Sequence, residues 1–358
     1  MSVKSGSCKS PSHTHESDSC PCSCPTHDHY GEDGFRSIVS DDSDNFKIES
    51  GRYHLYAAYG CPFASRALIT LHMKGLQNAI GVSLAHPSWL LTKPDVDKHA
   101  GWVFRSPEDP PVTPQSGYGS IPCDGCVPDT VNQCQSAREL YELSADKLHR
   151  YSLPILWDKH CHLIVNNESA DILRMFNSKG FAVLAAPGTS GSPDLYPAED
   201  GEKRKLIDET NDWVGQNIIS AVYRAGYAKD QHDYNTAVTT VFEHLDRVES
   251  LLSSQRYLCG AELTEADVRL YTFLIRFDEV YYVIFKCNKK HIWEYPNMFN
   301  YLRELWQIPC FKNTTNIMHI KRFYYTSTPA LNSYSIIPIG RDILRDLQLP
   351  HDRERNYS

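Results

Sequence analysis

A cysteine and a proline directly after a strand-like run, at positions 61 and 62, constrain the fold of this chain more than any other feature. Residues 53–58 are apolar or aromatic, Tyr59 and Gly60 break the run, and Pro62 suits the first helical position because it has no N–H to lose. The Cys61 sulfur would then lie over free N–H groups at the positive end of a helix dipole, and both favour the nucleophilic thiolate. Most free cysteines are instead buried and inert. The succession of strand, Cys-Pro and helix favours the reactive interpretation.

The composition indicates a globular protein with room for two domains. The chain has 358 residues, of which 41% are hydrophobic and 22% charged. Its formal net charge of -8 argues against nucleic acid as the main partner. No apolar run reaches transmembrane length and residues 1–8 lack a signal core, so we expect no membrane partner and a cytoplasmic location. The 12 cysteines therefore point to thiol or metal chemistry rather than to a disulfide framework.

Residues 1–45 are rich in Ser, Asp, His, Cys and Pro and predict a disordered tail. The tail holds eight side chains of types that bind zinc or copper: Cys8, His13, His15, Cys20, Cys22, Cys24, His27 and His29. Only one residue separates successive cysteines at 20, 22 and 24, whereas a zinc clamp has at least two. We therefore predict no metal site here, with opportunistic metal binding as the alternative.

The region 46–195 is predicted to form a small α/β domain. Its strand-like runs lie at 53–58, 79–85, 153–158 and 163–165. Pro154, at the start of a strand, fits a special turn, of which a cis bond is one form. A helix begins near Asn167 or Ser169, either of which can cap it. The order strand, helix, strand, helix, strand, strand, helix is typical of a thioredoxin-like domain.

A Gly-, Pro- and Ser-rich segment at 106–133 is predicted to be a loop inserted into this domain, because structureless stretches of that length are uncommon in compact domains. It contains Cys123 and Cys126 with the spacing of a redox pair or half a zinc site. A loop-stabilising disulfide, a metal half-site and no role at all remain open for the pair. We predict no catalytic role.

The region 200–326 is predicted to be all-helical, followed by an extension at 327–358. One apolar helical stripe comprises Ala237, Val241, Leu245, Val248 and Leu252. Thr264 and Asp267 have the spacing of a capping box. The expected fold class is thus α/β plus all-α: an N-terminal thioredoxin-like domain followed by a C-terminal helical domain.

These features together resemble the glutathione transferases, and the details are similar to the Xi class, the glutathionyl-hydroquinone reductases. The matching stretches are 59–64, 81–83, 86–89, 153–159, 165–169, 223–228, 276–278, 285–290, 319–325 and 336–340. Coverage runs from about 53 to 340. Three features depart from the family: Phe63 stands where Trp is usual, the loop at 106–133 is longer, and the tail has no counterpart.

The resemblance implies a glutathione-dependent reduction of glutathionyl-hydroquinones. Cys61 would attack the glutathione sulfur of the conjugate, releasing hydroquinone and leaving a mixed disulfide. A second glutathione would resolve that disulfide and form oxidised glutathione. Glutathione is the co-substrate, and no tightly bound cofactor is expected.

The resemblance also implies the site residues. Glu168 and Ser169 would bind the γ-glutamyl end, with a plain helix cap as the alternative for Ser169. Backbone atoms of Leu153 would pair with the cysteinyl unit, and Trp89 would contact the tripeptide. Arg138 is the candidate cation for the glycyl carboxylate, or else a solvated helix-face arginine. Tyr223, with Tyr324 or Tyr325, would donate protons to the hydroquinone, and Tyr227 and His319 lie nearby in sequence.

Two other functions compete with this one. An Omega-like thiol transferase, acting as a deglutathionylase or dehydroascorbate reductase, would share the cysteine chemistry but need a different acceptor pocket. A non-catalytic binding or metal-handling protein of the same fold is suggested by the tail. Members of the family usually dimerise, so a homodimer is expected.

Overall fold

The computed structural model describes residues 34–189 and 192–356. An α/β domain precedes a helical domain, in the order that the sequence predicts. The eight candidate metal ligands of the tail lie outside the described residues. None of the helices within the described ranges is both long and apolar enough to cross a membrane.

Six strands form two sheets in the first domain. They are β1 (Tyr53–Ala57), β2 (Gly81–Leu84), β3 (Leu90–Leu91), β4 (Ala100–Gly101), β5 (Ile155–Asp158) and β6 (Leu163–Asn166). The main sheet has the order β2-β1-β5-β6, and β3 pairs with β4 separately. β1 runs parallel to β2 and antiparallel to β5, with Leu55 opposite both Val82 and Leu156. Because the central strands are buried on both faces, helices cover the sheet on either side.

The helices divide between the two domains and the C-terminal extension. The first domain has α1 (Pro62–Met73), α2 (Ala137–Leu143), α3 (Ser169–Asn177) and α4 (Lys179–Ala182). The second has α5 (Gly201–Val214), α6 (Ser220–Gly226), α7 (Gln231–Leu252), α8 (Glu265–Arg276), α9 (Pro296–Gln307), α10 (Pro309–Asn313) and α11 (Ile317–Thr326). Short π-helical stretches at Gly215–Ile219 and Phe277–Tyr281 and a 3₁₀ turn at Ile292–Glu294 connect some of them. The extension adds α12 (Ile343–Leu347) and α13 (Arg353–Asn356).

Helix α1 joins the two domains. Pro62 occupies its first turn, as predicted. Ala67 and Leu68 pack into the core of the α/β domain, whereas Ile69 and Met73 pack into the helical core. The start of α1 therefore lies where the two domains meet.

The predicted helix signals of the second domain are confirmed. All five residues of the predicted stripe are buried on α7. The Thr264 N–H donates to the Asp267 carboxylate at 2.8 Å, which closes the capping box of α8. The predicted cap of α3 is wrong, because Glu168, rather than Asn167 or Ser169, is its N-cap and accepts the Ala170 N–H at 3.0 Å.

The sequence predicts a disordered tail at 1–45, but the structure packs its described part, residues 34–45, against the first domain. Phe35 and Val39 are buried in its core. The Ser37 N–H donates to the Val165 carbonyl at 3.1 Å, and Arg36 pairs with Asp171. Two buried apolar side chains, a backbone hydrogen bond and an ion pair thus hold a polar segment that looks disordered in sequence.

The inserted segment 106–133 forms turns that pack on the helical domain. The Asp124 carbonyl lies 2.5 Å from His319 Nε2, and its carboxylate pairs with Arg322 at 2.6 Å. Cys123 and Cys126 are free, buried thiols, so no disulfide joins this pair. Within the described ranges, His, Cys, Asp and Glu side chains do not gather in groups of three that could hold a metal.

The described part of the extension, residues 327–356, folds back over the helical domain. Lys321 Nζ on α11 lies 2.8 Å from Glu279 Oε2 and donates to the Ile339 carbonyl at 2.7 Å. Gly340 has a φ of +68°, and a Cβ there would lie 2.5 Å from Glu279 Oε2. A buried ion pair and a glycine therefore fix the path of the extension.

Candidate active site

A cavity of about 320 Å³ opens where the two domains meet. The start of α1, Trp89, the loop around Trp102 and the segment 150–153 form its first wall. Tyr223, Phe323 and Tyr324 of the helical domain form the opposite wall. Three larger crevices on the described surface have no cysteine in their walls.

Cys61 lies in this cavity and caps α1. Its Sγ accepts the Ala64 N–H at 3.4 Å, and the thiol donates to the Leu153 carbonyl at 3.5 Å. Burial raises the pKa of Cys61 above its ordinary value, against the opposing effects of the Ala64 N–H and of the Arg276 and Arg66 charges. The predicted helix start is therefore present, but burial outweighs the predicted lowering of the Cys61 pKa.

Three tyrosine hydroxyls of the helical domain are linked beside the cavity. The Tyr324 hydroxyl lies 2.7 Å from that of Tyr223 and 3.0 Å from that of Tyr281. Burial raises the pKa of Tyr223 and Tyr324 well above its usual value and that of Tyr281 to about 12. All three therefore stay protonated near neutral pH and can donate hydrogen bonds.

The structure adds to this cluster Tyr281, which the sequence did not single out, and places Tyr325 outside the cavity wall. Tyr281 ends the π-helical stretch Phe277–Tyr281, a type of irregularity that is frequent at functional sites but leaves no clear mark in sequence. The Tyr325 hydroxyl donates to the Glu279 carbonyl at 2.9 Å, inside the helical domain. Successive helical residues point about 100° apart, so Tyr324 and Tyr325 cannot both face the cavity.

Two of the residues predicted to bind glutathione line the cavity. The Trp89 indole packs edge-on against Trp102 and Phe323, and its buried N–H has no hydrogen-bond acceptor among the residues that the structure describes. Leu153 precedes Pro154 through a cis peptide bond, and its carbonyl is the acceptor for the Cys61 thiol. A buried donor without an acceptor is costly, which suits a ligand that supplies one.

Glu168 and Ser169 lie at the start of α3, beyond the cavity wall. The Ser169 hydroxyl donates to Glu168 Oε1 at 3.3 Å and accepts from Arg66 Nη1 at 3.3 Å. Arg66 stacks on Phe63, which lines the cavity, with its guanidinium carbon 4.8 Å from the ring centre. Arg66 thus contacts both the cavity wall, at Phe63, and the start of α3, at Ser169. Its buried Nε has no hydrogen-bond acceptor among the described residues.

Arg138 does not line the cavity, but its guanidinium carbon lies 5.5 Å from the ring centre of Tyr151, which does. Its guanidinium pairs with Asp97 at 2.8 Å and Glu142 at 2.9 Å, so it is neither solvated nor available to a ligand carboxylate in this structure. Arg150 is exposed and lines the cavity instead. His319, also noted from the sequence, is buried against Asp124.

Both domains match known protein families. Residues 60–179 match the model of the glutathione S-transferase N-terminal domain, and residues 221–304 match that of the C-terminal domain. The chain is 40% identical to the glutathionyl-hydroquinone reductase YqjG of Escherichia coli, over 87% of this chain and 85% of that protein. It is 37% identical to the glutathionyl-hydroquinone reductase PcpF of Sphingobium chlorophenolicum, over 82% and 84%.

Solved structures give the same result. A Xi-class glutathione transferase from Natrialba magadii superimposes with a TM-score of 0.78 at 38% identity, covering 90% of this chain and 89% of that one. The glutathione-bound structure of YqjG superimposes with a TM-score of 0.78 at 37% identity, covering 90% and 96%.

Proposed function

The chain belongs to the Xi class of the glutathione S-transferase family, and from this premise we propose that it reduces glutathionyl-hydroquinones with glutathione. One observation carries the proposal. A cysteine at a helix N-terminus shares a cavity with Tyr223 and Tyr324, whose hydroxyls are linked to each other at 2.7 Å. A thiol transferase needs only the cysteine, whereas a hydroquinone substrate also needs donors that stabilise its oxygens.

The first step transfers glutathione from the ring to the enzyme. The Cys61 thiolate attacks the sulfur of the conjugate, an S–S bond forms, and the C–S bond breaks with its electron pair left on the ring carbon. Tyr223 and Tyr324 stabilise charge on the ring oxygen through hydrogen bonds, and a proton completes the C–H bond. Hydroquinone leaves, and a Cys61–glutathione disulfide remains.

The second step regenerates the enzyme. The thiolate of a second glutathione attacks the glutathione sulfur of the mixed disulfide, and Cys61 leaves as thiolate. The net reaction converts one conjugate and one glutathione into hydroquinone and oxidised glutathione. No second protein cysteine is needed.

The polar groups around the cavity suit a tripeptide with a cation at one end and carboxylates at both. Glu168 would pair with the ammonium of the γ-glutamyl unit, and Ser169, with Arg66 beside it, would bind its carboxylate. The Trp89 N–H would donate to the tripeptide. Arg150, rather than Arg138, is the candidate cation for the glycyl carboxylate, because the Arg138 guanidinium is paired with Asp97 and Glu142.

Mass spectrometry after exposure to glutathionyl-hydroquinone tests the mechanism. We expect a glutathione adduct on Cys61 that disappears when glutathione is added and that is absent from Cys61→Ser. We expect Tyr223→Phe and Tyr324→Phe to lose hydroquinone release about 10²- to 10⁴-fold. Tyr325→Phe is the matched control and should retain it. Unchanged turnover in the first two variants would favour an Omega-like thiol transferase.

We also propose that the protein is a cytoplasmic homodimer. The extension exposes apolar side chains, with Ile336 67% and Ile339 96% accessible, and such a surface favours contact with a second copy. Light scattering coupled to gel filtration gives the mass in solution. A dimer that Ile339→Asp converts to monomer supports the proposal, and a monomeric wild-type protein contradicts it.

A further inference from the structure

Arg276 reaches from the helical domain to the turn that carries the nucleophile. It is the last residue of α8 and is 1% exposed. Its Nη2 donates to the Tyr59 carbonyl at 2.7 Å and to Ser65 Oγ at 2.8 Å, and its Nε donates to the Gly60 carbonyl at 3.3 Å. The fourth bond, from Nη1 to the Thr272 carbonyl at 2.5 Å, anchors it to its own helix.

These contacts surround Cys61 in the chain. Tyr59 and Gly60 immediately precede it, and the Ser65 hydroxyl donates to the Cys61 carbonyl at 2.9 Å. One planar guanidinium therefore fixes the backbone on both sides of the cysteine. Only an arginine presents donors in a fork of this shape.

The charge of Arg276 has no carboxylate partner. Across the described part of the chain, Asp and Glu oxygens stay more than 4.0 Å from its guanidinium, and its acceptors are carbonyls and one hydroxyl, all neutral. Burying a cation without an anion is unfavourable, so such a group favours a nearby negative charge. The charge of Arg276 acts on Cys61 and on the hydroxyls of Tyr271, Tyr281 and Tyr324, and of these four groups the thiol has the lowest ordinary pKa, 9.0 against 10.0.

We propose that Arg276 is a positioning residue that orients the Cys61 turn and supplies the charge that stabilises the Cys61 thiolate. The inference rests on the proposed function, since it takes Cys61 as the reacting group. Electrostatics support it: the positive charge of Arg276 lowers the pKa of Cys61, against a larger opposing effect of burial. If Arg276 only held the two domains together, replacing it would leave the ionisation of Cys61 unchanged.

The rate of Cys61 alkylation by iodoacetamide between pH 6 and 10, read from the Cys61 peptide by mass spectrometry, tests the charge without any substrate. Arg276→Gln should move the midpoint of the profile upward by about one to two pH units. Arg276→Lys keeps the charge, so its midpoint should stay within a few tenths of a unit of wild type. The lysine variant lacks the planar set of guanidinium donors, so its turnover of glutathionyl-hydroquinone should fall about 10- to 100-fold.

Arg353→Gln is the matched control, because Arg353 is also 1% exposed but lies in the C-terminal extension, where its guanidinium bonds to Glu304. Its alkylation midpoint should equal that of the wild type. An unshifted midpoint in Arg276→Gln, or an equal shift in Arg353→Gln, overturns the inference. If Arg276→Gln does not fold, the lysine variant decides: a shifted midpoint with normal turnover overturns it. Wild-type protein without reductase activity would refute the proposed function alone.

Discussion

Replacing Lys321 by Met should destabilise the protein far more than replacing a lysine at the surface. Lys321 and Glu279 form a 2.8 Å ion pair whose side chains are 5% and 3% exposed. The substitution leaves the Glu279 carboxylate buried without its cation and the Ile339 carbonyl without its donor. Removing one partner of a buried pair costs about 3–5 kcal/mol of unfolding free energy.

Urea unfolding followed by far-ultraviolet circular dichroism measures the loss. Lys179→Met is the matched control, because the side chains of its ion pair with Glu199 are 83% and 85% exposed, and solvent screening should leave that pair with almost no effect on stability. The double variant Lys321→Met with Glu279→Gln removes the stranded charge and should recover part of the loss. If Lys321→Met lowers the unfolding free energy no more than Lys179→Met does, water screens the Lys321–Glu279 pair, and this pair does not hold the extension in place.

Three further outcomes are expected. Arg150→Ala should raise the KM for glutathione with little change in kcat, measured by initial rates, and an unchanged KM would remove Arg150 from the binding site. Gly226→Ala should lower the unfolding free energy by about 1–3 kcal/mol in urea titrations, because its Cβ would lie 2.3 Å from the Phe285 ring, and a neutral effect would contradict this packing. Burial lowers the pKa of both His54 and His319 from 6.5 to about 4, so the unfolded chain binds protons between these values that the folded protein does not. The stability that these histidines contribute above pH 6.5 is therefore lost as the pH falls toward 4. His319→Asn should reduce this loss of unfolding free energy, measured by urea titrations from pH 7 to 4. An equal loss in the variant would assign it to other groups.

The fold was predictable because its signals are local. Pro62 after Cys61, the Thr264–Asp267 box and the stripe on α7 each fall within a few turns of chain, where sequence spacing determines contact. The order of elements then followed from counting strands and helices. The insertion was recognisable only as a loop, because its partners on α11 are almost 200 residues away in sequence.

The site was only partly predictable because its decisive contacts are long-range. Arg138 could be a ligand cation in sequence, but folding brings Asp97 to its guanidinium from 41 residues away. Arg276 meets the carbonyl of Gly60 across 216 residues, and no periodicity reports such a pair. Tyr281 is one of 21 tyrosines, and only the linked hydroxyls distinguish it.

The shielding of Cys61 has a consequence for the life of the protein in a cell that contains peroxide. Oxidation to sulfenic and then to irreversible sulfinic acid proceeds through an ionised, accessible sulfur. A thiol that is 7% exposed, and whose pKa burial raises above its ordinary value, presents peroxide with little accessible thiolate. Burial would thus spare the single sulfur on which every turnover depends.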